Sequence, residues 1–305
     1  MIRLFLILAL PGLLAGQTLE DRLRQIETQS GGVMGVAALH LETGQFIGWR
    51  SKDHFPTMSV AKLPVVLRAL AQMQAGLLPF RKMVRVEPEQ YSTGFSPLRD
   101  KYPSGVVATI GQLMEASLRD SDNTAHDVLL ELSGGPTAAQ EQLDRLFKGA
   151  IRINRSEKQM NQDLEALGPV AFDADGRDSS TPEAMTLLLS AIHGRKLVHP
   201  ASHERIIRWM TETPTGAMRI KALLPPGTVV WHKTGTGGDK DGINLCTNDT
   251  GVIALPGGKG HLALTVFIKL SRKPLADRER AIADTALLFY QQFSRQPPQP
   301  QTIEK

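Results

Sequence analysis

The chain is 305 residues long and carries a formal net charge of +4, from 35 Lys and Arg against 31 Asp and Glu. That length fits one large domain or two interlocked ones, and the mild basicity gathers into no Lys/Arg block, so no nucleic-acid partner is expected. The single cysteine, Cys246, forbids an intramolecular disulfide, so stability has to come from core burial.

Residues 1–16 read as a secretory signal. Arg3 supplies the positive end, an apolar run goes from Leu4 to Leu10, and Leu13-Leu14-Ala15-Gly16 forms a small-residue exit before Gln17. The run is too short to span a bilayer and Pro11 and Gly12 interrupt it, so no stable membrane association is expected. No cysteine follows it to carry a lipid. Cleavage after Gly16 removes Arg3 alone among charged residues, taking the net charge from +4 to +3.

Thr18 then caps a helix with Glu20 and Asp21 in its first turn and Leu19, Leu23 and Ile26 at helical spacing. Residues 33–41 and 45–50 predict a hairpin closed by Glu42-Thr43-Gly44. From 58 to 205 the chain is mostly helical. Residues 59–73 form one such segment and 182–193 another, opened by Thr181 and Pro182 and stopped by Gly194. Strand-like runs return at 228–233, 248–255 and 261–270, the last two joined by Pro256-Gly257-Gly258. A helix over 276–293 closes the fold, and the tail at 294–305, with Pro297, Pro298 and Pro300, reads as disordered.

Strands thus lie at both ends of the sequence and helices in the middle. Sequential strands usually pair, and antiparallel hairpins need only short turns. The expected fold class is α+β: an antiparallel β-sheet flanked by helices, with an inserted all-helical domain. The sheet domain would take 17–55 and 206–293, the helical domain 56–205.

Four constellations carry chemistry. Ser59 and Lys62, three apart on a predicted helix, project from one face; a serine hydroxyl needs a base before it attacks, and a lysine amine can serve. Apolar Leu63-Pro64-Val65-Val66-Leu67 follows, so Lys62 is not a surface lysine and needs a partner or a purpose. In Ser121-Asp122-Asn123, all three residue types suit a helix cap, while the Asn123 amide can donate to a carbonyl and the Ser121 hydroxyl can relay a proton. Lys233-Thr234-Gly235-Thr236 ends a predicted strand and suits a carboxylate-bearing ligand, with Gly235 clearing space for it and Arg219 upstream as a second cation. Glu157 and Asn161, four apart after Arg155 and followed by a stretch that reads as loop-like at Gly168-Pro169 and from Asp173 to Ser180, can share one water. No His/Asp/Cys cluster suggests a metal, and His232 reads as a strand residue.

Ser-x-x-Lys, Ser-Asp-Asn and Lys-Thr-Gly in this order mark serine acyl-transferases acting on penicillins. With Arg155-x-Glu157-x-x-x-Asn161 and Arg177-Asp178-Ser179-Ser180-Thr181-Pro182 added, the chain resembles a class A serine β-lactamase over nearly its whole mature length. The resemblance implies the fold of serine β-lactamases and D,D-peptidases, and a monomer without cofactor or metal, secreted to the periplasm of a Gram-negative host and acting on small β-lactams. It implies Ser59 as nucleophile and Lys62 as its activating partner. Ser121 would protonate the leaving group, and Glu157 with Asn161 would hold the deacylating water. Lys233, Thr234 and Thr236 would bind the substrate carboxylate, Asn123 would contact the substrate, and the Ser59 and Thr236 amides would form the oxyanion hole. An Arg155–Asp178 salt bridge would close the Ω-loop, and Phe95 would wall the cleft. Whether Lys62 or Glu157 is the acylation base stays open.

Thr236, Thr247-Asn248-Asp249 and extra residues at 239–246 resemble the extended-spectrum branch. Met58 and Gly237 stand where disulfide-bearing carbapenemases carry cysteines. The alternative is a penicillin-binding D,D-peptidase or transpeptidase, which shares the first and third motifs but lacks a dedicated deacylating Glu.

Overall fold

Thr18 opens helix α1 (Leu19–Ser30) through a reciprocal cap: its hydroxyl accepts the Asp21 amide, and the Asp21 carboxylate accepts the Thr18 amide. That satisfies donors a helix start otherwise leaves open. The structure, a computed structural model, describes residues 17–295, so the predicted signal and the tail from 296 lie outside the described residues.

Strands β1 (Val33–His40) and β2 (Phe46–Trp49) form the first hairpin, and β3 (Phe55–Pro56) leads into a 3-10 turn, Met58–Ala61, and helix α2 (Lys62–Gln74). Next come β4 (Met83–Val86), α3 (Pro97–Lys101), β5 (Val106–Thr109), α4 (Ile110–Leu118), α5 (Asn123–Leu132) and α6 (Gly135–Phe147). Helix α7 (Glu157–Asp175), strand β6 (Ser179–Ser180), α8 (Pro182–His193) and α9 (Pro200–Thr211) complete the middle of the chain. Strands β7 (Val230–Thr236), β8 (Asp239–Lys240), β9 (Ile243–Ala254) and β10 (His261–Ser271) precede the closing helix α10 (Leu275–Ser294).

The main sheet is antiparallel in the order β2-β1-β10-β9-β7, with β8 paired to β9, so both ends of the chain build it. Alternation along the central strand β10 supplies two cores. Leu262, Leu264, Val266 and Ile268 pack with Leu23, Ile26, Phe289 and Phe293 of α1 and α10. Ala263 and Phe267 point the other way, into the core that holds Leu63 and Val66 of α2 and Leu189 of α8. Each fully buried Leu, Ile or Phe contributes roughly 1.5–3 kcal/mol. The fold is α+β, as the sequence predicts.

Three local expectations are corrected. Lys233-Thr234-Gly235-Thr236 does end a strand, but β7 runs on to Thr236 where the sequence predicts its end at 233. The extra segment at 239–246 is β8 and the start of β9, joined by Asp241 and Gly242 at φ 53° and 71°. The stretch after Asn161, loop-like by its Gly168-Pro169, is helical to Asp175: Gly168 takes φ 74° and ψ 167°, and Pro169 starts a second helical segment.

Candidate active site

Ser59 sits in the 3-10 turn, half-buried, directly before α2. Met58 before it is held at φ 45° and Ser121 at φ 60°, backbone that non-glycine residues rarely adopt. Such strain persists only where surrounding structure imposes it. Here Met58 is packed among Met160, Leu164, Phe172, Leu245 and Cys246, while the amide of Asn248 donates to the Pro56 carbonyl at 2.7 Å. Gly235 is needed for this arrangement in a way the sequence did not suggest. A side chain there would run into the Thr57 carbonyl and lie 3.2 Å from Val60 Cγ2, so glycine lets β7 press against the turn that carries Ser59.

Lys62 is fully buried, and its ammonium donates to Ser59 Oγ at 2.8 Å, the Ser121 carbonyl at 2.7 Å and Asn123 Oδ1 at 2.6 Å. Glu157 Oε1 lies 3.1 Å from the same nitrogen and accepts from Ser59 Oγ at 3.3 Å. Burial, the largest single influence, raises the Glu157 pKa, but the Lys62 charge and hydrogen bond, together with His126 and Lys233, outweigh it and hold the carboxyl below its usual 4.5. Lys233 Nζ donates to Ser121 Oγ at 2.8 Å and to the Thr234 carbonyl at 2.9 Å. Burial first, and the Lys62 charge second, pull its pKa well below 10.5. Two lysines and one carboxylate thus converge on two serine hydroxyls.

Asp122 works behind the site. It caps α5 by accepting from Ala125 N at 2.8 Å and also accepts from Leu98 N at 2.6 Å. Asn123 and Asn161 each donate their amide to the Thr93 carbonyl, at 3.0 and 3.2 Å, which draws the rim segment of Phe95 over α5 and α7. Phe95 itself is exposed. Thr234 Oγ1 meets Thr215 Oγ1 at 2.9 Å. Arg219 is buried with its guanidinium on Glu279, the carbonyls of Gly235 and Asn248, and Thr236 Oγ1 at 2.7 Å. Its reach toward the cleft therefore runs through the Thr236 hydroxyl. His232 is buried on β7 with Nδ1 2.9 Å from the Asp249 carboxylate.

The segment from Arg155 to Asp178 is clamped at its base. Arg155 pairs with Asp178 at 2.6 Å, Asp163 at 2.7 Å and Asp175 at 3.2 Å, and stacks 4.4 Å over the Phe172 ring. Ser156 caps α7 by accepting from Gln159 N, which makes Glu157 its first residue and sets Asn161 one turn on.

Sequence reading missed Asp127. Its half-buried carboxylate accepts the amides of Glu157 at 2.7 Å and Lys158 at 3.0 Å, and the Ser92 hydroxyl. An anion at a helix start meets both free N–H groups and the positive dipole end. It lies one turn beyond Asn123 on α5, the one trace its sequence carries of a link to the site.

A profile of the β-lactamase enzyme family matches residues 18–293. The relative β-lactamase VEB-1 of Pseudomonas aeruginosa is 32% identical over 263 residues, 85% of each chain. A solved β-lactamase from Chitinophaga pinensis superposes with a TM-score of 0.83 at 31% identity, over 90% of this chain and 98% of its own. The extended-spectrum β-lactamase TLA-1 gives a TM-score of 0.83 at 29% identity, over 92% and 100%. With these matches and the Ser59–Lys62–Glu157 triangle together, the chain belongs to the β-lactamase enzyme family, as a class A serine enzyme.

Proposed function

We propose that this enzyme opens the β-lactam amide through a Ser59 acyl-enzyme, conferring resistance, and that Glu157 accepts the proton of Ser59 in acylation. The observation that carries this is the hydroxyl bond from Ser59 to Glu157 while Lys62 faces four acceptors. Lys62 Nζ donates to Ser59 Oγ, so Glu157 Oε1, which accepts from that hydroxyl, is the group placed to take its proton. Ser59 Oγ then attacks the carbonyl carbon, with the Ser59 and Thr236 amides receiving the oxyanion. Ser121 gives its proton to the leaving nitrogen as the C–N bond breaks and regains one from Lys233 beside it; the proton that Glu157 took from Ser59 is passed back to that lysine, so Glu157 is again a carboxylate. In deacylation Glu157 takes a proton from a water shared with Asn161, the water oxygen attacks the ester carbonyl, and the ester C–O bond breaks as Glu157 returns that proton to Ser59 Oγ. A transpeptidase needs no buried carboxylate against its nucleophile, which disfavours that reading. Steady-state turnover of a chromogenic cephalosporin tests it: acylation without turnover would point to the transpeptidase.

In the same reading the cleft lies between a sheet domain, 17–55 with 206–293, and a helical domain, 56–205. Residues 1–16 direct secretion to the periplasm, where the enzyme acts as a monomer. Among the described residues no helix is long and apolar enough to cross a membrane.

Protonation sets two limits on rate. Glu157 works as the carboxylate, so kcat/KM should hold to below pH 4.5 before its acid limb falls. Lys233 works as the cation, so the alkaline limb should lie well below 10.5. A pH–rate profile with its acid limb above 4.5, retained in Glu157→Gln, would assign that limb to another group.

Lys233→Ala removes the main cation facing the substrate carboxylate. kcat/KM for penicillins should fall by about two orders of magnitude or more, from the size of charged hydrogen bonds. Arg219→Ala should act in the same direction but less, because Arg219 reaches the ligand through Thr236. Wild-type efficiency in both variants would misplace the pocket.

Substrate preference follows from space. A cleft of about 590 Å³ lined by Thr93, Asn161, Leu164, Gly238 and Lys240 lies beside the site and suits a bulky acyl side chain. Oxyimino-cephalosporins should be preferred to carbapenems. Imipenem hydrolysed faster than cefotaxime would contradict this.

A further inference from the structure

Away from the cleft, three ligand-bearing side chains that are distant in sequence converge. Glu42 lies in the turn after β1, His193 ends α8 and His261 opens β10. One ligand atom from each, a carboxylate oxygen and two ring nitrogens, all lie within 4.8 Å of one another. His261 Nδ1 is 2.7 Å from Glu42 Oε1, its amide donates to Glu42 Oε2 at 2.8 Å, and the two imidazole rings stand 4.4 Å apart.

The surroundings fix this arrangement. His40 accepts the Thr43 amide at Nδ1, 3.2 Å away, and its Nε2 lies 2.7 Å from the Lys259 carbonyl. That holds the turn carrying Glu42. Gly260, at φ 90°, is the position where any side chain would collide with the Glu42 carboxylate. All three candidate ligands keep part of their surface open to solvent.

We propose that Glu42, His193 and His261 bind a divalent transition-metal ion of the zinc type, with water completing its coordination. Two imidazoles and one carboxylate suit Zn²⁺, whose bonds to such atoms are about 2.0–2.2 Å. Tetrahedral ligand atoms then stand roughly 3.3 Å apart, so small side-chain rotations close the shell. Mg²⁺ and Ca²⁺ prefer an all-oxygen set and fit poorly. The bound ion joins the end of α8 to two strand ends and so stabilises the folded state by linkage. It does not serve hydrolysis. His261 is six positions along β10 from Phe267, which registers with Asn248 and through it with Gly235, about 20 Å away along the strand.

Calorimetric titration of the untagged chain with ZnCl₂, beside the His193→Ala/His261→Ala double variant, tests the site. One ion per chain is expected, with a zinc-dependent rise in Tm that the double variant lacks. Loss of two ligands should weaken binding about 100-fold or more, since even outer-shell changes cost 10–100-fold. Glu42→Gln should weaken it as well. Hydrolysis of a chromogenic cephalosporin should be equal in all these proteins, with or without zinc, which also shows that the variants fold. Equal zinc affinity in parent and double variant, or no uptake by the parent at millimolar zinc, would overturn the proposal.

Discussion

Replacing Ser59 with alanine is expected to abolish covalent labelling by any penicillin and to lower kcat by about six orders of magnitude, the scale seen when a serine nucleophile is removed. The fold should survive. The Ser59 hydroxyl bonds to Lys62 and Glu157, and those two buried charges still face each other at 3.1 Å when it is gone. Neither is left uncompensated, which is the condition under which buried ionic groups become strongly destabilising. The measurement is intact-mass spectrometry after incubation with a penicillin, beside a thermal melt. A drug adduct on a folded Ser59→Ala protein would mean that another nucleophile carries the acyl group.

Much of the fold was legible because its signals are local. Thr18, Thr181 with Pro182, and Gly194 mark helix ends by backbone chemistry that needs no tertiary partner. The β8–β9 hairpin was missed although Asp241-Gly242 is a strong two-residue turn signal, with both residues at positive φ. The polar Asp239 and Lys240 around it offered no strand alternation to confirm it. At Gly168-Pro169 the breaker signal was real, but it marks a join between two helical segments instead of a loop.

The site divides along the same line. Ser59, Lys62, Ser121 and Lys233 were visible because each lies in a short motif whose spacing is itself chemical. Asp127 and Asn248 were not, because each acts on a backbone segment far off in sequence: α7 approaches Asp127 from 30 residues on, and the turn before Ser59 lies 192 residues before Asn248. Gly235 was visible, but the group that excludes its side chain belongs to the protein itself.

Glu157→Ala is expected to separate the two halves of the reaction. Deacylation needs a base that both positions and deprotonates water on the exposed face of the ester, and no other carboxylate meets Ser59 Oγ in a hydrogen bond among the described residues. Acylation should slow as well, because Ser59 donates its proton to Glu157, but it should not stop. With the carboxylate gone, Lys62 Nζ remains 2.8 Å from Ser59 Oγ as the alternative base. The slower step becomes deacylation, so the variant should give a stoichiometric burst and a long-lived adduct. Asn161→Ala should show a milder arrest, since its loss removes one contact of the water and leaves the base. Arg155→Ala should lower stability and turnover together, because it leaves Asp178 buried without its cation. The decisive comparison is single-turnover acylation against steady-state hydrolysis in Glu157→Ala. Wild-type rates for both would make Glu157 a bystander of the Ser59–Lys62 pair. Equal losses in both, with no adduct accumulating, would restrict its role to acylation.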